Sequence, residues 1–336
     1  MAQYQVRQAY VGNNNVFGVW EPTFIATGGE ILYDGDFIIH KFTATSTTSS
    51  VYDFDVQLSN TDNPQPLEIL VVGGGAGGSR YGGGGAGGVV YIETTDNVSM
   101  EAGTYSIQVG GGGVSELVDV GGGILANATS GDDSTISGGT FSITALGGGR
   151  ADSSPGVDGG SGGGSAYGVG GTGLQPSQAG ISGTYGYGND GGSLGPTTSN
   201  GFTQAGGGGG GATQAGLPPN ADTLTGGDGG DGLEVSITGT PTYYGGGGGG
   251  AGTDSPGNEP TYPGIGGLGG GGNGSFTSFN AGGNAGDVAL PGTDGLGGGG
   301  GQIAYYDSVP HFPNYDYNLV DGGSGVVMIR YRYKRS

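Results

Sequence analysis

The chain has no cysteine among its 336 residues, which excludes disulfides, thiolate metal ligands and cysteine nucleophiles. Positive charge is also scarce, because eight Lys and Arg stand against 29 Asp and Glu, a formal net charge of −21. Nucleic acid and anionic membranes both require basic patches, so neither is expected as a partner. The sequence has no apolar stretch of about eighteen residues and no signal-peptide pattern, so membrane insertion is not expected either.

Ordinary core-forming residues are sparse as well. Only 32% of the residues are hydrophobic and 11% are charged, so a conventional core cannot extend through the whole chain. Glycine takes their place: the chain contains 90, and all but five lie beyond Val72. Ordering one residue costs about 1–2 kcal/mol, and glycine loses the most freedom. The glycine region is therefore either disordered or folded in a way that uses the missing side chain.

Strand-forming segments border the glycine runs. Residues 51–58 alternate strictly between apolar and polar side chains, which is typical of a half-buried strand. Further strands are predicted at 37–42, 67–72, 89–92, 105–109, 141–146, 233–238 and 326–333, with an Asp34-Gly35 turn before the first of them. Several of these segments lead directly into a glycine run, and no helical periodicity occurs. This bracketing favours glycine excursions from a β framework.

The glycine runs lack the Gly-X-Y period of collagen, which leaves polyglycine-II geometry, with three residues per turn and about 3.1 Å per residue. Such helices have no internal hydrogen bonds, so they become stable only when they pack side by side. We therefore predict an all-β fold, a β-sandwich-like framework with a packed polyglycine-II bundle inserted between strands and essentially no α-helix. The predicted parts are an N-terminal docking segment (1–28), framework strands (29–72), the glycine-rich region with variable loops (73–325), and a closing strand with a basic tail (326–336).

The order of these elements carries a family resemblance. The strings at 68–78, 82–92, 102–113 and 322–331, taken together with their framing strands, resemble the glycine-rich domain of bacteriophage tail fibres and adhesins. The resemblance covers residues 29–333 and implies bundled polyglycine-II helices whose connecting loops contact the host surface.

The resemblance implies a non-enzymatic virion protein of the tail-fibre or adhesin type. It would be made in the host cytoplasm and carried on the extracellular particle, commonly as a homotrimer. Its expected partners are other virion proteins, through the N-terminal segment, and a host surface polysaccharide or outer-membrane protein. A capsid-exterior decoration or head-fibre protein is the structural alternative, and a polysaccharide-degrading enzyme is the third class.

Motifs that would signal chemistry lack their required context. Ser161 and Ser193 stand in G-x-S-x-G patterns, but a nucleophile elbow needs a strand-turn-helix and a histidine base. The chain has only His40, in a strand, and His311, in a loop. No catalytic residue is therefore assigned. Residues 226–234 fit one copy of a calcium-binding nonapeptide, which makes Asp228 and Asp231 a weak calcium candidate, since such sites require tandem copies. No other cofactor is expected.

The segment 302–320 is the longest loop and the richest in aromatic rings. Rigid amphipathic rings suit recognition of carbohydrate or protein, although the same rings could instead cap the glycine helices or fill a subunit interface. The candidate receptor-binding residues are Tyr305, Tyr306, His311, Phe312, Tyr315 and Tyr317, with Tyr262 from the loop 253–263 as a second choice.

Overall fold

A computed structural model describes residues 24–59, 67–80, 82–119, 124–152, 155–193, 205–220, 222–223, 225–253, 262–277, 288–303 and 320–333. In chain order the strands are β1 Phe24–Thr27, β2 Glu30–Asp34, β3 Phe37–Thr43, β4 Ser50–Ser59, β5 Glu68–Val72, β6 Val89–Ile92, β7 Gly103–Val109, β8 Ser115–Asp119, β9 Ile124–Ala128, β10 Ser134–Gly138, β11 Phe141–Ala145, β12 Gly186–Tyr187, β13 Leu233–Val235, β14 Thr242–Tyr244, β15 Gly252–Thr253, β16 Phe276–Thr277 and β17 Val326–Arg332. Helical structure in these ranges is limited to single turns at Thr94–Asp96, Gln175–Ser177 and α1 Ile181–Thr184. The predicted all-β fold is confirmed.

Two antiparallel sheets form the framework. One has the strand order β1-β4-β7-β10-β11 and the other β12-β6-β5-β17-β3-β2. Phe54 and Ile107 from the first sheet share one fully buried core with Ile69 and Val327 from the second. The closing strand β17 lies between β5 and β3, so residues from both ends of the glycine region meet in one sheet. The glycine-rich part therefore begins and ends on the same rigid support.

A second apolar cluster covers the other face of the six-stranded sheet. Leu70 and Met328 on that face pack with Val235 and Tyr244 of the hairpin β13–β14. The predicted strand 233–238 ends at Val235, because Ser236 begins a turn in which its carbonyl accepts a hydrogen bond from the Gly239 N–H at 2.9 Å. The framework thus has three layers, with the central sheet buried on both sides.

His40 lies in the sandwich interior and is fully buried. Its Nδ1 lies 2.7 Å from the Gly28 carbonyl oxygen, and its Nε2 lies 3.1 Å from the Tyr331 hydroxyl, whose ring stacks on the imidazole at 5.6 Å. Burial lowers the pKa of His40, because desolvation disfavours the imidazolium, although the hydrogen bond to Gly28 raises it. His40 is therefore a neutral core residue at neutral pH.

Arg330 joins two acidic side chains on the same sheet. Its guanidinium lies 2.6 Å from the Glu68 carboxylate and 2.7 Å from that of Asp34, and it stacks on the Phe37 ring at 3.9 Å. The Tyr91 hydroxyl donates to Glu68 at 2.7 Å. Burial and the neighbouring Glu68 raise the pKa of Tyr91, so this hydroxyl stays protonated. Part of the C-terminal basic charge therefore neutralises carboxylates inside the framework.

The glycine runs form a bundle with a three-residue period. In run 73–79, the N–H groups of Gly73 and Ala76 donate to run 82–88 at 3.0 and 2.9 Å, while that of Gly74 donates to Asp132. Successive residues of one run thus point to different neighbours, and every third residue points to the same one. This is the polyglycine-II arrangement, in which each helix is held by its neighbours.

The inner runs are surrounded on all sides. Run 73–79 donates to runs 82–88, 129–132 and 320–323 and accepts from runs 110–113, 146–149 and 297–300. Runs 82–88 and 245–251 likewise each have six neighbours. A Cβ placed on Gly248, in run 245–251, would stand 2.6 Å from the carbonyl carbon of Gly300 and closer still to its oxygen. At such a position only glycine permits the helices to approach at this spacing.

Candidate binding end of the glycine bundle

The bundle has one end on the sandwich and one end away from it. Run 73–79 leaves directly from β5, and run 82–88 returns directly into β6, so the turn between Ser79 and Gly82 lies at the far end. The Ser79 carbonyl accepts from the Ile303 N–H at 3.1 Å, and the Gly78 N–H donates to Val320 at 2.8 Å. We call this far end the distal end.

Gln302 ties several runs together at the distal end. The residue is 1% exposed, and its Oε1 accepts from the Ala251 N–H at 2.7 Å. Its Nε2 donates to the Arg80 carbonyl at 2.8 Å, and its own carbonyl accepts from the Ser275 N–H at 2.9 Å. One buried amide therefore replaces the backbone partners that the runs lose where they end.

Several of the non-glycine connections attach at the distal end. Ile303 and Val320, which flank residues 304–319, form a small apolar cluster with Ala289. The Gly206 N–H donates to the Ala251 carbonyl at 3.1 Å, and Ala205 directly follows residues 194–204. The chain on either side of these connections is therefore held by the bundle at one common end.

The predicted recognition residues divide into two groups. Six of them, namely Tyr305, Tyr306, His311, Phe312, Tyr315 and Tyr317, lie outside the described residues. Tyr262 is described and is 66% exposed, and its carbonyl accepts from the Gly226 N–H at 3.1 Å. Gly226 belongs to a run that ends at the same side as Gly206, to which Gly227 donates at 3.0 Å. Tyr262 therefore presents an exposed ring at the distal end.

Ser161 and Ser193, the serines of the two G-x-S-x-G patterns, lie in environments different from that of His40. Ser161 is fully buried in a glycine run, and its hydroxyl has no hydrogen-bond partner among the described residues. The Ser193 hydroxyl accepts from the Gly170 N–H at 2.8 Å. His40 is enclosed in the sandwich core. The described chain therefore does not assemble these residues into a nucleophile–base pair.

The two carboxylates of the calcium candidate bind the backbone of this same chain. Asp228 Oδ1 accepts from the Ile265 N–H at 2.7 Å, and Asp231 Oδ1 accepts from the Leu268 N–H at 2.8 Å. Within the described ranges, no group of three or more His, Cys, Asp or Glu is placed to hold a metal ion. The calcium role stays a prediction.

Sequence reasoning missed the general form of this contact. The N–H of the glycine after each aspartate donates to the same outer run, since Gly229 donates to the Ile265 carbonyl and Gly232 to the Leu268 carbonyl, at 2.8 and 2.7 Å. We call such an Asp-Gly pair a clamp. Six of the seven Asp-Gly dipeptides in the sequence form clamps, at 158–159, 190–191, 228–229, 231–232, 294–295 and 321–322. Their recurrence beside glycine runs is the signal that could have identified them.

Comparison with known families agrees with the glycine-rich composition of the chain. A family model described as a glycine-rich domain matches residues 49–332, which covers most of the chain. No curated protein matches the chain significantly. In the part of the chain that the structure describes, no helix is long and apolar enough to cross a membrane.

Proposed function

Because this chain belongs to the glycine-rich domain family, and several of its connections attach at one end of the bundle, we propose that it is a non-enzymatic phage virion protein. It acts as a tail-fibre or adhesin component that binds a host surface receptor through loops between glycine helices. The observation that carries this proposal is the attachment of several non-glycine connections at the distal end. A uniform glycine helix offers a partner little to recognise, so specificity falls to side chains on those connections.

The geometry also supports separate roles for the two ends of the molecule. The sandwich holds the proximal end of the bundle, and it includes β1 Phe24–Thr27, which lies at the end of the segment 1–28 that we propose docks onto another virion protein. The distal end, with the exposed ring of Tyr262, faces away from that attachment. An adhesin needs this polarity, because its particle-bound end and its receptor-binding end must be separate. A homotrimer, with the sandwich end as its base, completes the proposal.

The experiment measures binding of the purified full-length protein, fluorescently labelled, to a panel of whole bacteria. The variant Tyr306→Ala/Phe312→Ala/Tyr315→Ala is expected to lose binding to a strain that the wild type binds, with an unchanged melting temperature. The matched control is Tyr33→Ala, which removes a ring that is 59% exposed on the framework. Equal loss in both variants, or no binding to any strain, would contradict the proposed adhesin role.

Treatment of the cells separates the two proposed receptor classes. Periodate oxidation of the cells should abolish binding if the receptor is a surface polysaccharide, and protease treatment should abolish it if the receptor is an outer-membrane protein. Immunogold labelling of particles then separates a tail location from a capsid-exterior location. Release of reducing sugar from surface polysaccharide would instead support a degrading enzyme.

A further inference from the structure

The outer runs of the bundle show how its lateral growth stops. Run 262–268 donates inward to run 245–251 and accepts from runs 226–232 and 270–275. An inner run has six neighbours, whereas this outer run has only three among the described residues. The remaining positions around it are those that a further glycine helix would occupy.

The amides that face those outward positions are already bonded to side chains. The N–H groups of Ile265 and Leu268 donate to the carboxylates of Asp228 and Asp231 at 2.7 and 2.8 Å. The N–H of Gly266 donates to Asn273 Oδ1 at 2.9 Å. Both outward rows of donors are therefore satisfied by side-chain oxygens from the two flanking runs, 226–232 and 270–275.

Bulky side chains reinforce this closure. Tyr262, Ile265 and Leu268 are three residues apart, which places them on one face of a polyglycine-II helix. They are 66%, 65% and 54% exposed, so this face points to solvent. A glycine helix packs only where no side chain intervenes, so this ridge keeps another helix at a distance.

The same arrangement recurs on run 169–175. The Thr172 N–H donates to Asp158 Oδ1 at 2.6 Å, and the Gly173 N–H donates to Asp190 Oδ1 at 2.8 Å. Val169 and Thr172 are the exposed side chains on this run, and Val169 is 68% exposed. Two outer runs, far apart in sequence, thus carry the same combination of clamp and exposed side chain.

We propose that the Asp-Gly clamps and the exposed side chains terminate the glycine lattice and close a latent interaction surface for a second copy of this chain. A glycine helix with unsatisfied outward amides is the counterpart of an open β-sheet edge, which pairs with any similar edge that it meets. The clamps and exposed side chains therefore prevent neighbouring copies of the chain from associating through their glycine bundles. The homotrimer proposed above would therefore form through another surface, and this inference does not depend on the receptor-binding role.

The test starts from Ile265→Gly/Leu268→Gly, which removes the two ridge side chains beside the clamps and leaves Tyr262 in place. Into this background go either Asp228→Ala/Asp231→Ala or Asp228→Asn/Asp231→Asn. Both pairs remove the same two negative charges, but asparagine keeps an oxygen acceptor for the outward amides. A comparison of the two pairs therefore separates the effect of losing the clamp from the effect of losing the charge.

A single introduced cysteine reports association at this flank, because the natural chain has none. The reporter Leu217→Cys lies beside the clamps, since the Leu217 N–H donates to the Asp228 carbonyl at 2.8 Å and its side chain is 53% exposed. Val51→Cys, at a site 67% exposed on the framework, is the control reporter. Disulfide-linked dimers are measured on non-reducing gels at micromolar protein, and circular dichroism confirms that each variant is folded.

With the Leu217→Cys reporter, the alanine pair is expected to give about tenfold more dimer than the asparagine pair, whereas the Val51→Cys reporter should show no difference. Equal dimer in both pairs would show that charge or bulk alone closes the surface and would overturn the role of the clamps. No dimer in either pair would overturn the inference altogether. If the alanine pair is unfolded, the comparison is made with Asp231→Ala and Asp231→Asn alone. More dimer with Asp231→Ala would then support the inference, and equal dimer or no dimer would overturn it.

Discussion

Replacing Gly248 by alanine tests whether the glycine runs are close-packed in solution. The new Cβ would stand 2.6 Å from the carbonyl carbon of Gly300, whereas carbon atoms normally approach to about 3.5–4.0 Å. The runs would have to separate by about 1 Å. That movement lengthens the four bonds between these runs, such as the Gly299 N–H to the Gly246 carbonyl and the Gln302 N–H to the Gly249 carbonyl, both at 2.9 Å. Four such bonds, at about 1 kcal/mol each, and 1–3 kcal/mol of overpacking sum to roughly 5 kcal/mol or more.

A loss of this size is comparable with the whole stability of many domains, roughly 5–15 kcal/mol. The assay is urea unfolding followed by far-ultraviolet circular dichroism, with trypsin digestion as a second probe. Gly139→Ala is the control, because a Cβ there meets nothing within 4 Å. Its expected loss of stability is only about 1–2 kcal/mol, which arises from the left-handed φ of +57°. If Gly248→Ala is no more destabilising than Gly139→Ala, the packed bundle does not exist in solution.

Three further outcomes follow from buried polar groups. Ser134→Ala should cost about 1–3 kcal/mol, because it leaves the buried Gly110 N–H, now 2.9 Å from the hydroxyl, without its acceptor. Ser161→Ala should be neutral or stabilising in the same urea titration, since that buried hydroxyl has no partner in the described chain; a cost equal to that of Ser134→Ala would contradict this. The lowered pKa of His40 means that the unfolded chain takes up a proton first as pH falls below about 6.5, so stability should decrease between pH 7 and 5. His40→Phe should flatten that slope by up to one proton, and an unchanged slope would refute the assignment.

The strand framework was largely predictable from the sequence. Alternation at 51–58 and the apolar segment 67–72 correspond to β4 and β5, and the turn Asp34-Gly35 joins β2 to β3. These elements are read from side chains, which report burial and turn geometry directly. The strand β10 was not predicted, because its serine- and glycine-containing sequence carries little apolar signal.

The arrangement of the glycine runs could not be predicted in the same way. Run 82–88 has six neighbours, five of them from distant parts of the chain, yet its residues carry almost no side chain to select them. Register is instead set by the framework strands, by side-chain amides such as that of Gln302, and by clamps such as that of Asp228. The candidate site was predictable only in part, since Tyr262 is exposed as an interaction residue requires, while the aromatic segment around Tyr306 lies outside the described residues.

The backbone-only packing of the inner runs also has a thermal consequence. Exposure of apolar surface raises the heat capacity of unfolding, while exposure of polar surface lowers it. Unfolding of run 245–251 and its neighbours would expose mainly peptide groups, because the buried apolar side chains on these runs are small, such as those of Ala86, Ala212 and Ala251. We therefore expect a heat-capacity change per residue below the usual range of about 12–15 cal/mol/K. The free energy of unfolding would then vary less with temperature, so the bundle would stay folded over a wider temperature range than a domain with a hydrophobic core of similar stability.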